Sequence, residues 1–348
     1  MASTDRRVRS GLGPRLRAAR LVVADVTDSR AAEAGEPVSV SVVIPTYQHG
    51  RYVGEAAACA LAQEVGERHE VIVVDDGSTD GTRGVLRELV AATSGRLRYA
   101  RLTRNLGRST ARNAGIALAR APIVAFTDGD CSPAPGWLDA ATRSFGDPSV
   151  GVVQGATLPR PDRPRPFFNH FIETTRFDGS FSTSNVVYRR AALVEVDGFD
   201  PSMDWGEDAD LGWRVVRAGW GAAFAPDALV HHDVVPLSVS EWLKWPLHFA
   251  SEPAKAARHA EYRRYLFLGL WLTPFHALFD LAVLAVLLAA RVHRAFLLLA
   301  LPYVLAFPRR HGLGGRWPPA KACLHLAWDG VSLGALLAGS IRHRAAVL

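Results

Sequence analysis

The aliphatic run Val71–Val74 passes directly into two adjacent carboxylates, Asp75 and Asp76, and then into a cluster of Gly, Ser, Thr and Asp. Runs of the same kind recur nearby. Val38–Pro45 reads as a buried β-branched strand stopped by proline, Glu70–Asp76 as a second, Arg96–Leu102 as a third and Pro122–Asp130 as a fourth. Between them, residues 52–64, Thr82–Thr93 and Ser109–Ala121 carry helical patterns. Strands that alternate with helices imply a parallel sheet with right-handed crossovers. In such sheets ligands bind beyond the carboxyl ends of the strands. Pro45-Thr46-Tyr47, Asp75-Asp76 and Asp128-Gly129-Asp130 should therefore share one crevice.

Asp128 and Asp130 stand one residue apart at a strand end. Two like charges in a small pocket strongly raise one pKa unless something compensates them. A divalent cation does so, and hard oxygen ligands suit Mg²⁺ or Mn²⁺. The competing reading is a solvated turn, where Asp and Gly are ordinary. A second acidic pair, Glu207 and Asp208, opens a helical pattern. It either complements the helix dipole or supplies a general base at the mouth of the crevice.

Taken in order, the stretches Val40–Tyr47, Glu70–Thr82, Asn105–Asp130, Ser184–Arg190, Gly198–Trp220 and Leu229–His232 resemble the family 2 glycosyltransferases. The resemblance implies a GT-A fold, a Rossmann-like α/β architecture with a mixed, mainly parallel sheet flanked by helices. It implies that Pro45, Thr46 and Tyr47 border the nucleotide sugar, with Tyr47 packing on the base. Asp76 would read the base through a ring N–H with Asp75 in support, and Arg112 would approach the diphosphate. Asp128 and Asp130 would be the DxD pair that binds metal and donor. Glu207 and Asp208 would form the catalytic pair, with Asp208 as base, and His231 would add a metal or phosphate contact. The expected reaction is an inverting transfer of one sugar from a nucleoside diphosphate sugar, a UDP-sugar first. The acceptor would be a lipid-linked or membrane-proximal glycan in cell-surface polysaccharide or glycolipid biosynthesis. The Gln-x-x-Arg-Trp signature of processive synthases is missing after Asp208, since Trp213-Arg214 has the wrong order. Gln48 stands where the family usually has Asn.

Domain boundaries follow from shifts in composition. Residues 1–37 hold seven arginines and one short apolar patch, and are expected to be a flexible basic arm without a cleaved signal. Residues 38–236 are expected to form the glycosyltransferase domain that the resemblance implies, with a proline-rich loop from Pro159 to Pro166 crossing between subdomains. Residues 237–265 read as an amphipathic interfacial segment, in which Trp242, Trp245 and Phe249 sit beside Lys244, Lys255 and Arg258. Residues 266–348 read as hydrophobic membrane helices. Leu266–Ala290 and Ala322–Ile341 are long enough to span a bilayer, and Ala295–Phe307 covers about half of one. The juxtamembrane arginines place the catalytic domain on the cytoplasmic face of the cell membrane.

Other functions are disfavoured. The formal charge is +6, but it comes from 37 Arg against 3 Lys, with no basic stretch carrying interleaved aromatics, so nucleic-acid binding is not expected. The three cysteines lack CxxC spacing, which argues against a zinc finger or disulfide framework and fits a reducing compartment. A nucleotidyltransferase would need a basic triphosphate loop after the first strand, where only Arg51 and two glycines occur. The remaining alternative is a catalytically idle nucleotide-sugar-binding or scaffolding protein on the same fold.

Overall fold

The computed structural model describes residues 11–28, 38–65, 68–93, 95–311 and 319–348. They divide into two compact units. One runs to Val235 apart from Pro166–His170, and the other takes Pro166–His170 and Pro236–Leu348.

The first unit is built on a sheet that has nine strands among the described residues. In chain order these are β1 (Val23–Asp28), β2 (Val40–Thr46), β3 (His69–Asp75), β4 (Leu97–Leu102), β5 (Ile123–Phe126), β6 (Cys131–Pro133), β7 (Val150–Pro159), β8 (Val186–Arg189) and β9 (Gly221–His232). Their spatial order is β1-β4-β3-β2-β5-β8-β7-β9-β6. β4, β3, β2 and β5 run parallel, as do β7 and β9. β1, β8 and β6 pair antiparallel with their neighbours. The sheet is thus mixed and mainly parallel, as the alternating sequence pattern implies.

β2 and β3 are buried along their whole length, which explains their nearly continuous Val and Ile content. Two apolar clusters cover the faces of the sheet. Leu86 and Val90 of α3 (Thr82–Ala92) join one, and Ala111, Ala114 and Ile116 of α4 (Arg108–Leu118) join the other. α7 (Glu207–Arg217) begins after Gly206, whose φ of 79° turns the chain into the helix in a conformation that costs other residues more. Its first turn holds Glu207, Asp208 and Asp210 and its last turn Arg214 and Arg217, a distribution that matches the helix dipole.

The expected basic arm needs correction. Pro14–Leu21 is a helix with Leu16 and Ala19 buried, and β1 adds an antiparallel edge strand to β4. Apolar residues inside the arginine-rich stretch supply the core contacts that order it. Residues 1–10 and 29–37 lie outside the described residues.

In the second unit, Val239–Lys244 is a short helix with a complete Ser238–Glu241 capping box. Longer helices follow at Pro274–Arg291 (α10), Leu301–Arg310 (α11) and Pro319–His343 (α12). α10 and α12 are long and apolar enough to cross a membrane. The helix within the run Leu266–Ala290 starts late, because Thr273 caps it and Pro274 occupies its first turn. The aromatics expected at an interface pack inside this unit instead. Trp242 meets Phe167, Phe168, His325 and Trp328, and Phe249 meets His276 and Trp328.

Candidate active site

The carboxyl ends of β2, β3 and β5 open onto a cavity of about 360 Å³. Its lining includes Pro45, Thr46, Tyr47, Asp76, Arg112, Asp128 and Asp130, so seven residues singled out from the sequence are brought together. Tyr47 is 41% exposed and forms part of the cavity wall.

Asp76 is held by the loop before α4. Its two carboxylate oxygens accept the N–H groups of Leu106 at 2.7 Å and Gly107 at 2.8 Å. Burial raises its pKa, those N–H groups oppose the shift, and the charge on Asp75 adds to it. Each oxygen keeps a second lone pair for an N–H on a ligand. Asp75 does not line the cavity. It is fully buried and accepts from Ser78 N at 2.8 Å, Tyr99 Oη at 2.8 Å and Arg101 Nη1 at 2.6 Å. Burial, assisted by Asp75 and opposed by Arg101, pushes the Tyr99 phenol up to about 12, so it remains a donor. Asp75 therefore braces the end of β3 beneath Asp76.

Arg112 links the strand ends to α7. Its guanidinium stands 3.2 Å from Asp128 Oδ1 and 2.7 Å from Glu207 Oε1. Burial works against its charge, while Asp128, Glu207 and Asp208 more than offset that and raise its pKa. Arg108, one turn earlier on α4, adds a 3.4 Å contact to Glu207 and stacks 4.0 Å over Trp205. Glu207 is buried and committed to these two cations, which suits positioning rather than proton transfer. Asp208 also lies outside the cavity lining, at the first turn of α7, where its Oδ1 accepts from Ala209 N at 2.8 Å. It is half-buried, and its charge reaches Arg112.

The expected histidine is displaced by one residue. His232, not His231, lines the cavity. Successive residues on a strand face opposite sides, and the pairing of β9 with β6 sets Cys131 opposite His232 and Ser132 opposite His231. His232 Nδ1 lies 2.6 Å from the Asp233 carbonyl. That oxygen can only accept, so Nδ1 carries the hydrogen and donates it there. Nε2 stands 3.8 Å from Asp130 Oδ2. A carboxylate and an imidazole nitrogen facing each other are donor types that suit a divalent cation.

Gly129, named with its two neighbours as a strand end, lines the cavity too; His49, Asn105, Gly107, Arg108 and Ala111 also line it and were not singled out from the sequence. For Arg108 a signal existed, because a residue four before Arg112 on a helix shares its face.

Two family models match the chain, "Glycosyl transferase family 2" over residues 41–196 and "Glycosyl transferase family group 2" over residues 123–308. Among curated proteins, the chain is 29% identical over 206 residues to a pre-mycofactocin glycosyltransferase of Mycobacterium tuberculosis. That match covers 55% of this chain and 43% of the relative, so the chain spans less than half of that protein's length. It is also 29% identical to the glycosyltransferase AglE of Haloferax volcanii, over 57% of this chain and 67% of the relative. Among solved structures, mannosyltransferase PcManGT from Pyrobaculum calidifontis, in complex with GDP-Man and Mn²⁺, has a TM-score of 0.62 at 23% identity. The match covers 91% of this chain and 93% of that one. S. aureus TarS 1–349 in complex with UDP-GlcNAc has a TM-score of 0.50 at 18% identity, covering 88% and 93%. These two structural likenesses concern the fold.

Proposed function

The chain belongs to glycosyl transferase family 2, and on that premise we propose that it moves one sugar from a nucleoside diphosphate sugar to an acceptor hydroxyl with inversion. The observation that carries this reading is the single cavity at the strand ends, where Tyr47, Asp76, Arg112, Asp128 and Asp130 converge. Tyr47 packs on the base and Asp76 accepts a ring N–H from it. Arg112, already fixed between Asp128 and Glu207, meets the diphosphate as a preorganised cation.

Asp130 and His232 would hold a divalent ion, with Asp128 beside them. When bound, the ion supplies charge neutralisation for the departing diphosphate. That PcManGT, which shares the fold, was solved with GDP-Man and Mn²⁺ supports a divalent ion as part of the reading. Asp208, at the first turn of α7, accepts the proton of the acceptor hydroxyl in this reading. Glu207 orients Arg112 and Arg108. No covalent intermediate is required.

The acceptor is lipid-linked or membrane-proximal in this reading, because α10 and α12 are long and apolar enough to cross a membrane and carry exposed leucines. The basic residues before α10 favour a catalytic unit on the cytoplasmic face of the cell membrane in this reading. The test is calorimetric titration of the full chain in detergent with UDP-, GDP- and dTDP-sugars, with and without Mn²⁺. Metal-dependent binding of one donor, followed by transfer or slow hydrolysis, is the expected result. Binding without any turnover would favour the idle scaffold, and no binding of any donor would end the proposal.

A further inference from the structure

β6 opens at Cys131, the register partner of His232 on β9. Residues directly opposite each other in an antiparallel pair point to the same face. The thiol therefore joins the imidazole beside the Asp130 carboxylate. Cys131 Sγ stands 3.8 Å from Asp130 Oδ1, His232 Nε2 stands 3.8 Å from Asp130 Oδ2, and the donor atoms of all three residues lie within 4.8 Å of one another. In a tetrahedral site with Zn–S near 2.3 Å and Zn–N near 2.0 Å, neighbouring donors are roughly 3.5 Å apart. Small side-chain adjustments close the observed triad to that size. Among the described residues it is the one group of three His, Cys, Asp or Glu with donors this close together.

We propose that Cys131 is a direct ligand of the cation held by Asp130 and His232, which makes the centre a mixed oxygen, nitrogen and sulfur site selective for Zn²⁺ or Co²⁺ over Mg²⁺. The proposal rests on the cation reading of Asp130 and His232. Mg²⁺ demands an octahedral set of oxygens and retains several waters, which a thiolate and an imidazole do not satisfy. Zn²⁺ and Co²⁺ accept sulfur, nitrogen and oxygen together. As the metal–sulfur bond forms, the S–H bond breaks and its proton passes to solvent, so the bound residue is a thiolate. The protein then contributes three ligands and leaves a coordination position for water or a phosphate oxygen.

The experiment is titration of the full chain in detergent with Co²⁺, followed by optical absorption and by calorimetry. The expected result is Co²⁺ uptake with a near-ultraviolet sulfur-to-cobalt charge-transfer band. That band should persist in a Cys59→Ser/Cys323→Ser protein, whose one remaining thiol is Cys131. It should vanish in Cys131→Ser, with Zn²⁺ affinity falling by at least the roughly 10–100-fold that loss of an outer-sphere partner already costs. Co²⁺ uptake without the band, in the natural chain or in the doubly substituted one, overturns the thiol ligand and leaves the Asp130–His232 reading intact. Absence of any Co²⁺ uptake overturns both. Since the double variant retains Cys131, the test does not depend on Cys131→Ser folding.

Discussion

Arg112 Nη1 lies 2.7 Å from Glu207 Oε1, and the two side chains keep only 5% and 3% of their exposure. The pair ties α4 to the first turn of α7 across 95 residues of sequence. Removing one member of a buried pair leaves the other charge uncompensated, at a typical cost of 3–5 kcal/mol. Glu207→Ala should therefore lower stability by about 3 kcal/mol or more, read from the denaturant midpoint of the transition that reports the catalytic unit. Glu207→Gln keeps a hydrogen-bond acceptor and should cost less. A near-neutral alanine variant would show that Asp128 alone suffices for Arg112.

Asp208→Asn tests the base. The amide oxygen can still accept from Ala209 N, so the start of α7 should survive and the melting temperature should hold. Loss of a general base typically slows turnover by about 10²–10⁴-fold. The expected outcome is that fall in kcat with donor affinity unchanged by calorimetry. Equal turnover would remove Asp208 from the mechanism.

The strand ends were legible because their signal is local: an aliphatic run followed by Asp, Gly and Ser at Asp75–Ser78 or Asp128–Asp130. The choice between His231 and His232 was not legible, because it depends on which residue of β9 stands opposite Cys131. Likewise, Glu207 looked catalytic beside Asp208 until its partners on α4 were placed. The order of residues 14–28 rests on core packing of Leu16 and Ala19 and on pairing of Val23–Asp28 with β4, some 75 residues away in the chain, and local arginine content says nothing of either. Trp242 looked interfacial by composition, yet its ring is covered by partners from distant segments of its own unit. In each miss, a non-local contact overrode a pattern that was correctly read.

Donor binding should weaken on acidification at a higher pH than an ordinary aspartate would dictate. The pKa of Asp76 lies above its usual 3.8, mainly through burial, and only the ionised carboxylate accepts an N–H at both oxygens. A raised folded-state pKa means that the folded chain binds this proton more tightly than the unfolded chain. Its contribution to stability is full below pH 3.8 and fades as pH rises through the folded value. Asp76→Asn should therefore gain stability relative to the natural chain as pH rises from 3.8 toward neutrality, while losing donor affinity. Melting curves across that range give the sign. A difference that is flat with pH would contradict the raised value.

Gly77→Ala should damage fold and binding together. Gly77 has φ +76°, and a Cβ there would lie 2.6 Å from Arg104 C and 2.8 Å from Asn105 N, backbone atoms that cannot rotate away. The left-handed conformation costs a side chain about 1–2 kcal/mol, and steric overpacking adds about 1–3 kcal/mol. The displaced segment leads directly to Leu106 and Gly107, whose N–H groups hold Asp76. A lower melting temperature with weaker donor binding is expected. Natural behaviour in both would mean that the loop yields without cost.

The C-terminal helices carry the last prediction. Leu287 on α10, Leu298 in the turn after it and Leu305 on α11 are 58%, 72% and 62% exposed. Exposed apolar rows of this kind are costly in water and ordinary against lipid. At 1.5 Å per residue, the 18 residues of α10 reach about 27 Å and the 25 of α12 about 37 Å, against a hydrocarbon core of about 30 Å. The full chain should float with phospholipid vesicles and resist extraction by carbonate. Lysine at these three leucines should shift it toward the aqueous fraction, since a charge near mid-bilayer costs about 2.5–3.5 kcal/mol on the insertion scale. Donor binding, which involves none of the three, gives the control for folding. A natural chain that is monodisperse in buffer without detergent or vesicles would show that these leucines face protein, as in a self-association surface, and would detach the acceptor proposal from the membrane.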